Sequence, residues 1–344
     1  MQKILLRHRL EVAARYLWFK FKLLLRQNID VDKNFLTGDA AVRLSKGLLP
    51  QGVRITCSGR SDGLGMQAMA RISGINFANA FGATYVDSPF TRLDHAPTEQ
   101  HEWRDAWENR LNLGKGEEHL GDGDYVVVDY RDYLLKRRAI NEKSILRFQQ
   151  CYWLHRHYPD SLEAISESLR TKFSLPPSPP ERDHIVVAVH VRRGDVGVSK
   201  NAFRFTPNNT IARTIEYLHG VLEEIGVNAI FQVHSQGCAS DFAEFSKIGC
   251  ELYLDSDAIW TMEKLVASDI LIMSKSSFSY VAALINRGVK IYEPTFNPPL
   301  STWIVRQSDG SFDRARACDR IKEYLGVEIR NSTQDRPAPA PIMT

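Results

Sequence analysis

Short apolar runs alternate with longer amphipathic stretches through the second half of the chain. The runs are rich in β-branched residues, which is typical of buried strands, and they cover residues 184–191, 229–235, 250–255, 269–274 and 289–294. The stretches between them have the apolar spacing of helices, and they include residues 209–226, 239–249 and 278–288. Regular alternation of strands and helices predicts a parallel α/β sheet that is covered on both faces.

The first half of the chain shows a less regular version of the same pattern. It predicts strands at 53–59, 83–87 and 124–130 and a helix at 66–82. Prolines crowd residues 176–180 and predict a stiff connector, because proline neither continues a helix nor fits a central strand. We therefore predict two Rossmann-like α/β domains that face each other across a cleft, in a GT-B-like arrangement. The predicted segments are a basic amphipathic N-terminal segment (1–35), an N-terminal domain (36–175), a proline-rich linker (176–183), a C-terminal Rossmann-like domain (184–330) and a flexible tail (331–344).

Composition and charge narrow the class of protein. The 43% of hydrophobic and 25% of charged residues are typical of a globular protein, and the net charge of +3 gives no reason to expect a nucleic-acid partner. The five cysteines are scattered without a CxxC pair, which argues against a zinc site and a dense disulfide framework. We therefore expect a reducing, cytoplasmic location.

The N-terminal segment combines basic and apolar residues. Lys20 and Lys22 interrupt its most apolar part, so it lacks the ~20 apolar residues of a membrane-spanning helix. Two interpretations stay open: residues 1–28 bind an anionic membrane surface at its cytoplasmic face, or they form a helix that packs on the body of the protein.

Polar residues cluster where the predicted strands of the second half end. In a parallel sheet these carboxyl ends lie along one edge, which is where α/β proteins bind ligands. The residues that we expect at this edge are His190, Arg192, Arg193, Asp195, Ser235, Gln236, Asp257, Ser276, Ser277, Phe278 and Ser279.

Arg192 and Arg193 are adjacent, so their side chains point to opposite sides of an extended chain. One can face the cleft while the other braces its loop. A guanidinium is planar and permanently charged, which suits a two-point contact with phosphate. The alternative is an internal ion pair with Asp195.

Residues 274–280, SKSSFSY, begin a helix directly after a strand. Backbone amides at a helix start attract phosphate oxygens, and the serine hydroxyls favour the same ligand. Ordinary capping of the helix by serine is the alternative.

Residues 63–68, GLGMQA, match the GxGxxA pattern of dinucleotide-binding loops, with Asp87 in the place of the ribose-binding acid. Residues 58–62 separate the strand from the first glycine, whereas a dinucleotide loop needs a tight turn there. The other interpretation is a loop that lines the cleft, where Gly63 and Gly65 allow close approach of a sugar or phosphate.

Trp103 and Trp107 are one helical turn apart. They predict either a hydrophobic helix face or an aromatic platform for a sugar acceptor. The histidines and carboxylates show no metal-binding spacing, so we expect metal-independent chemistry in which arginine supplies the positive charge.

Three blocks in this order resemble the fucosyltransferase superfamily, which comprises the α-1,2- and α-1,6-fucosyltransferases and the protein O-fucosyltransferases. They are GLGMQ, HVRRGD and ASDILIMSKSSFSYVAALI, and the resemblance extends over roughly residues 53–295. The last two blocks resemble the bacterial α-1,2 enzymes most. The first usually reads GLGNQ in those enzymes, and Met66 replaces the asparagine here.

The resemblance implies a GT-B fold, GDP-fucose as the donor, no cofactor or metal, and inversion at the anomeric carbon. It implies that Arg192 and His190 contact the donor, with Arg192 on the β-phosphate, and that Ser276–Ser279 bind phosphate. Gly63, Gly65 and Gln67 are then expected to line the cleft, with the N-terminal domain on the acceptor side. The α-1,6 branch has a glutamate after its arginines that this chain lacks, so we assign the catalytic base to Asp195, with Asp62 as the second choice.

The leading hypothesis is therefore transfer of fucose from GDP-fucose to a glycan or glycoconjugate acceptor. One alternative is a non-catalytic relative that binds a nucleotide sugar or glycan, since the expected carboxylate is missing. Another is an NAD(P)-dependent oxidoreductase that uses residues 63–68.

Overall fold

The computed structural model describes residues 33–121, 124–136, 139–174 and 183–326. Their α-helices are α1 (Lys33–Ser45), α2 (Leu64–Phe81), α3 (Gln100–Leu111), α4 (Tyr130–Lys136), α5 (Trp153–His157), α6 (Glu163–Lys172), α7 (Asn208–Glu224), α8 (Ala243–Lys247), α9 (Ala258–Ala267), α10 (Ser277–Ile285) and α11 (Arg314–Leu325). Their strands are β1 (Arg54–Cys57), β2 (Thr84–Asp87), β3 (Glu118–His119), β4 (Val126–Asp129), β5 (Ser144–Phe148), β6 (Ile185–His190), β7 (Ala229–Ser235), β8 (Glu251–Leu254), β9 (Ile270–Ile272), β10 (Val289–Tyr292) and β11 (Ile304–Val305). Single 3₁₀ turns lie at Pro159–Leu162, Ala202–Arg204 and Ala239–Phe242.

The strands form two sheets, and every pairing in them is parallel. The first sheet has the order β3-β2-β1-β5-β4, and the second has the order β11-β10-β9-β6-β7-β8. In both sheets the order reverses beside the first strand, as it does in Rossmann folds. The structure therefore confirms the predicted fold class of two Rossmann-like α/β units.

The predicted strands of the second half all form, and β7 has the predicted bounds. The sequence pattern did not reveal β5, although this strand pairs with both β1 and β4. Its residues, SILRF, are few and carry an arginine, so they lack a strong strand pattern. The place of β5 in the sheet depends on its neighbours rather than on its own periodicity.

The second sheet buries both of its faces. Val187 and Val189 of β6 join one hydrophobic cluster, while Ala188 between them joins the other. Successive side chains of a strand point to opposite faces, so an unbroken apolar run is what a doubly covered strand needs. The small side chain of Ala188 lies on the face where helices of both units meet.

Helix α2 lies at the centre of that shared core. It packs against β1 and β2 of the first sheet and against α10, which follows β9 of the second. Its small residues allow this: a Cβ on Gly74 would lie 2.6 Å from the Tyr85 ring and 2.8 Å from the sulfur of Cys57. The helix ends at Gly82, which has the left-handed φ of 66° that glycine adopts without strain.

Parts of the predicted organisation lie outside the described residues: the N-terminal segment up to residue 32, linker residues 176–182, and the tail from residue 331. The membrane and packed-helix interpretations of residues 1–28 therefore both stay predictions, as do the domain boundaries. Within the described ranges no helix is both long enough and apolar enough to cross a membrane.

A buried ion pair joins α2 to the end of β2. The Arg71 guanidinium donates hydrogen bonds to both oxygens of Asp87, at 2.7 and 2.8 Å from one nitrogen, and a further one to Glu108 at 2.7 Å. The side chains of Arg71 and Asp87 are each only 3% exposed. Removing one member of such a pair leaves a buried charge without its partner.

We predict that Arg71→Ala lowers the free energy of unfolding by roughly 3–5 kcal/mol, because Asp87 and Glu108 then lose their counter-charge. Arg147→Ala is the control, since Arg147 pairs with Asp129 at 3.1 Å with both side chains over a third exposed. That substitution should cost at most about 1 kcal/mol. Urea unfolding followed by circular dichroism measures both, and equal costs would contradict the prediction.

Candidate functional site

The order of the second sheet places two sequence blocks side by side. Strand order reverses between β6 and β9, and the crevice outside such a reversal is the usual ligand site of an open α/β sheet. The block HVRRGD continues from β6, and SKSSFSY follows β9. The two blocks therefore flank the same crevice, although about 80 residues separate them in the chain.

His190 connects these two blocks. Its Nδ1 lies 2.8 Å from the hydroxyl of Ser274, and its ring lies 5.6 Å from that of Phe278. Burial, followed by the positive charges of Arg192 and His234, lowers the pKa of His190 to about 3. Its imidazole is therefore neutral at physiological pH, and it can donate one hydrogen bond and accept another without adding charge to the crevice.

Arg192 is only partly engaged by the protein. Its guanidinium makes an ion pair with Asp195 at 2.6 Å, and both side chains are 24% exposed. Its Nε is buried, and no acceptor for it lies in the described part of the chain. Because 24% of the side chain stays exposed, an anionic ligand can still reach the guanidinium.

Arg193 is instead held by its own loop. It donates to the carbonyl oxygens of Arg192 and Thr206 at 2.8 and 2.9 Å and to the side chain of Asn208, and it stacks over the Phe205 ring at 4.4 Å. These contacts occupy the guanidinium, so it braces the loop. Adjacent side chains thus divide into one that faces the crevice and one that supports it.

The serine hydroxyls after β9 have partners within the protein. Ser276 caps α10 by accepting a hydrogen bond from the N–H of Phe278 at 3.2 Å, and Ser279 donates to the carbonyl oxygens of Ser274 and Ser276. Ser277 donates to the sulfur of Met66 at 2.8 Å. The remaining attraction for an anion comes from the amino end of α10 itself.

The glycine block lies directly against this helix start. A Cβ on Gly65 would be 2.5 Å from the backbone nitrogen of Phe278 and 2.7 Å from the backbone carbon of Ser277. Only glycine allows so close an approach of two backbones. Since Gly63 caps α2, the amino ends of α2 and α10 meet here, and the ring of His190 at the end of β6 lies 5.6 Å from that of Phe278. Both helix dipoles favour an anion at this crevice.

Gln67 and Asp62 shape the loop before α2. The Gln67 amide is buried and donates to the carbonyl oxygens of Asp62 and Arg92, at 2.5 and 2.6 Å. The carboxylate of Asp62 is bound through both oxygens by Arg60, which also donates to Gln150 at 2.9 Å. Gln67 therefore fixes the loop, and Asp62 already has a counter-charge.

The other residues expected along this edge also have local partners. Ser235 donates to the carbonyl oxygen of Val191 at 2.8 Å. Gln236 is exposed, and its amide lies against Gly194, whose φ is +77°. Asp257 caps α9 by accepting from the N–H of Trp260 at 2.8 Å. Of these three, Gln236 and Asp257 are exposed, whereas Ser235 is half-buried.

Trp103 and Trp107 lie in the hydrophobic core, 8% and 0% exposed. Their rings pack edge to face at 5.6 Å, and Trp107 contacts the Phe278 ring in the same way at 6.2 Å. Neither presents a ring face to an acceptor in this structure. The expectation of an acceptor platform is corrected on this point, because the helix turns both rings inward to support Phe278.

Two residues at this edge were missed in the sequence. Glu293, at the end of β10, is buried in an ion pair with Arg306 at 2.5 Å and accepts a hydrogen bond from Thr206. Lys275 lies 3.6 Å from the Glu293 carboxylate and is 27% exposed. Lys275 lies within SKSSFSY, so the sequence could have indicated it as a cation among the serines. No motif in the sequence pointed to Glu293.

The geometry does not support the dinucleotide interpretation of residues 63–68. Asp87, which would bind the ribose, is buried and occupied by Arg71. The second glycine is needed for contact with α10 rather than with a pyrophosphate. In the described ranges no group of three or more histidine, cysteine, aspartate or glutamate side chains has metal-binding geometry.

No protein-family model matches this chain, and no curated protein matches it significantly. Among solved structures it is similar to E. coli heptosyltransferase WaaC with ADP, at 12% identity and a TM-score of 0.36 over 80% of this chain and 98% of that one. It is also similar to the trehalose-6-phosphate synthase OtsA, at 11% identity and a TM-score of 0.27 over 87% of this chain and 74% of that one. It is similar as well to a variant of the wall teichoic acid polymerase TagF, at 11% identity and a TM-score of 0.23 over 92% of this chain and 92% of that one.

We predict that Gly65→Ala lowers the free energy of unfolding by about 1–3 kcal/mol, because the new methyl group pushes α2 and α10 apart. The same displacement should weaken binding of an anionic ligand. Gly121→Ala is the control, since a Cβ there meets nothing within 4 Å. It should change stability by less than about 0.5 kcal/mol. Thermal unfolding with and without nucleotide measures both effects, and a Gly65→Ala protein as stable as the control would refute the prediction.

Proposed function

We propose that this protein is a glycosyltransferase that moves fucose from GDP-fucose to a hydroxyl group of a glycan or glycoconjugate. The observation that carries the proposal is the contact between the amino ends of α2 and α10 at the reversal point of the second sheet, where the loop that carries Arg192 leaves β6. A diphosphate is the chemical group that this combination suits best. The choice of guanosine and fucose rests on the resemblance of the three sequence blocks.

The proposed reaction breaks the bond between the anomeric carbon and the diphosphate. Negative charge develops on the leaving diphosphate, and Arg192 with the two helix ends stabilises it more in the transition state than in the ground state. The acceptor hydroxyl attacks from the opposite face of the sugar, so the anomeric configuration inverts. Positive charge from the protein neutralises the leaving diphosphate, a role that a bound metal ion has in other enzymes. The proposed reaction uses no separate cofactor.

Arg193 and Glu293 support this arrangement from behind. Arg193 donates to the carbonyl of Thr206, and the hydroxyl of Thr206 donates to Glu293. Glu293 in turn lies near Lys275 at the start of α10. The loop after β6 and the segment that leads into α10 are therefore joined by polar contacts through the buried side chains of Thr206 and Glu293, which hold the phosphate-facing groups in place before a donor binds.

A second candidate function is a nucleotide-sugar-binding protein without transferase activity. The observation in its favour is that both expected bases, Asp195 and Asp62, are held in ion pairs with arginines. Accepting a proton would cost either carboxylate part of its ion pair. Binding without turnover would support this second candidate.

The proposal is tested first by thermal unfolding with GDP, UDP and NAD, and then by incubation with radiolabelled GDP-fucose. GDP should stabilise the protein most, and label should pass from the donor to sugars or water. Stabilisation by NAD but not by GDP would refute the proposal. Stabilisation by GDP without loss of labelled donor would favour the binding protein.

We predict that Arg192→Ala lowers kcat/KM for GDP-fucose by roughly 30- to 1000-fold, since one preset charged donor is worth about 2–4 kcal/mol in a transition state. Arg192→Lys should restore little of this loss, because an ammonium cannot make a two-point contact. Initial rates with labelled donor measure the effect.

Arg193→Ala is the comparison variant. It should lower the melting temperature more than Arg192→Ala does, and it should reduce donor turnover less. An Arg192→Ala protein that is folded and fully active would exclude the phosphate role of Arg192. One that is unfolded would show that the ion pair with Asp195 is structural.

A further inference from the structure

The two carboxylates expected to act as the base each have an arginine partner. Burial acts to raise the pKa of Asp195, but the hydrogen bond and charge of Arg192, with a contribution from His95, lower it below its ordinary value. Asp62 receives hydrogen bonds from Arg60 on both oxygens. Taking a proton from a hydroxyl would cost either carboxylate part of its ion pair. A side chain without a counter-ion is a better candidate for the proton acceptor.

His95 is a titratable group at the same place that neither the sequence motifs nor the fold explain. It is exposed and follows β2 in the loop that leads to α3. Its Cδ2 lies 3.9 Å from the position that a Cβ on Gly63 would take. Its charge also acts on Asp195 of the other unit. His95 therefore lies beside the amino end of α2, within electrostatic reach of Asp195.

The backbone holds His95 in a fixed and unfavourable conformation. Its φ is +64°, in the left-handed region that costs a side chain with a Cβ about 1 kcal/mol or more. Just before it, Leu93 is fully buried, and its N–H and C=O both bond the side chain of Gln100, at 3.0 and 2.9 Å. Asp94 donates its N–H to the carbonyl oxygen of Asp62 at 3.4 Å. A strained residue on an anchored loop is a frequent feature of functional sites.

We propose that His95 is the general base that accepts the proton of the acceptor hydroxyl, and that Asp195 stabilises the imidazolium that results. The inference rests on the proposed glycosyltransferase function. The acceptor O–H bond breaks and its proton passes to the imidazole, while the oxygen bonds to the anomeric carbon. The bond to the diphosphate breaks at the same time, and its electron pair leaves with the diphosphate.

The surroundings suit this division of roles. An imidazole is the side chain that is most often both uncharged and basic near neutral pH. No hydrogen bond of the imidazole is found within the described ranges, and Gly63 beside it has no side chain to block an acceptor. Asp195 keeps its negative charge through Arg192, so it can stabilise a positive charge that forms across the crevice.

The decisive variant is His95→Gly, because glycine adopts a φ of +64° without strain and the protein should fold at least as well as before. Turnover of radiolabelled GDP-fucose with water and with a panel of methyl glycosides should fall on the order of 10²- to 10⁴-fold. The increase in thermal stability produced by GDP should be unchanged. Added imidazole should restore part of the turnover, which a purely structural residue would not allow.

His101→Gly is unsuitable as a control because it would weaken α3, so His101→Gln is compared with His95→Gln. His101 is exposed in the first turn of α3. His101→Gln should leave turnover at the wild-type level, whereas His95→Gln should lose it as His95→Gly does.

The pH dependence gives a second readout. Wild-type turnover should fall as the pH is lowered, because a protonated imidazole cannot accept a proton, and this acid limb should be absent from the residual activity of His95→Gln. The charged groups around His95 are Asp94 on its own loop, Asp62 with Arg60 on the neighbouring loop, and Asp195 with Arg192 across the crevice. Asp62→Asn is therefore run in parallel and should keep the acid limb.

The outcomes separate the two proposals. If the wild-type protein turns over the donor and both His95 variants do so equally well, His95 is not the base and the proposed function stands. If imidazole fails to rescue His95→Gly and the acid limb persists in His95→Gln, His95 acts only structurally. If the wild-type protein neither binds GDP nor turns over the donor, the proposed function fails, and the role of His95 fails with it.

Discussion

The candidate site depends on the contact between two helix starts. Gly65 brings the backbone of α2 against the backbone of Ser277 and Phe278, so the first sheet and the second meet through the amino ends of one helix from each. Helix starts carry partial positive charge, and placing two of them together is unfavourable unless a negative group binds between them or nearby. The close packing of α2 and α10 offsets that cost through buried apolar surface. The result is a rigid, electropositive point that exists before any ligand arrives.

The charged side chains around this point differ in how far the protein encloses them. Glu293 is buried and pairs with Arg306 and Thr206, and the buried Arg71 pairs with Asp87 and Glu108. Arg192 and Asp195 pair with each other but stay 24% exposed. A charged side chain that is held by a counter-ion and still exposed can also contact a ligand.

Much of the second unit could be predicted from residue pattern. The apolar runs located β6 to β10, and the rule for parallel sheets placed His190, Arg192 and Ser276 at one edge. Alternation of side chains along an extended chain also predicted different roles for Arg192 and Arg193. In the structure the guanidinium of Arg192 is only partly bonded, whereas that of Arg193 is enclosed by its own loop. The first unit was harder, since β5 is short and contains Ser144 and Arg147, and its interior position follows from its pairing with β1 and β4.

By itself the sequence determined the alternation of strands and helices and the polar residues that end each strand, because periodicity and turn chemistry are local properties of the chain. Only the tertiary structure decided that β6 and β9 are neighbours, that Gly65 meets Phe278, that Trp103 and Trp107 turn inward, and that Asp62 and Asp195 are bound by arginines. His95 belongs to the second group, since no motif contains it. Each of these facts is a contact between residues from different elements or loops of the chain, and the energy of such a contact depends on packing and partner geometry that no local pattern encodes.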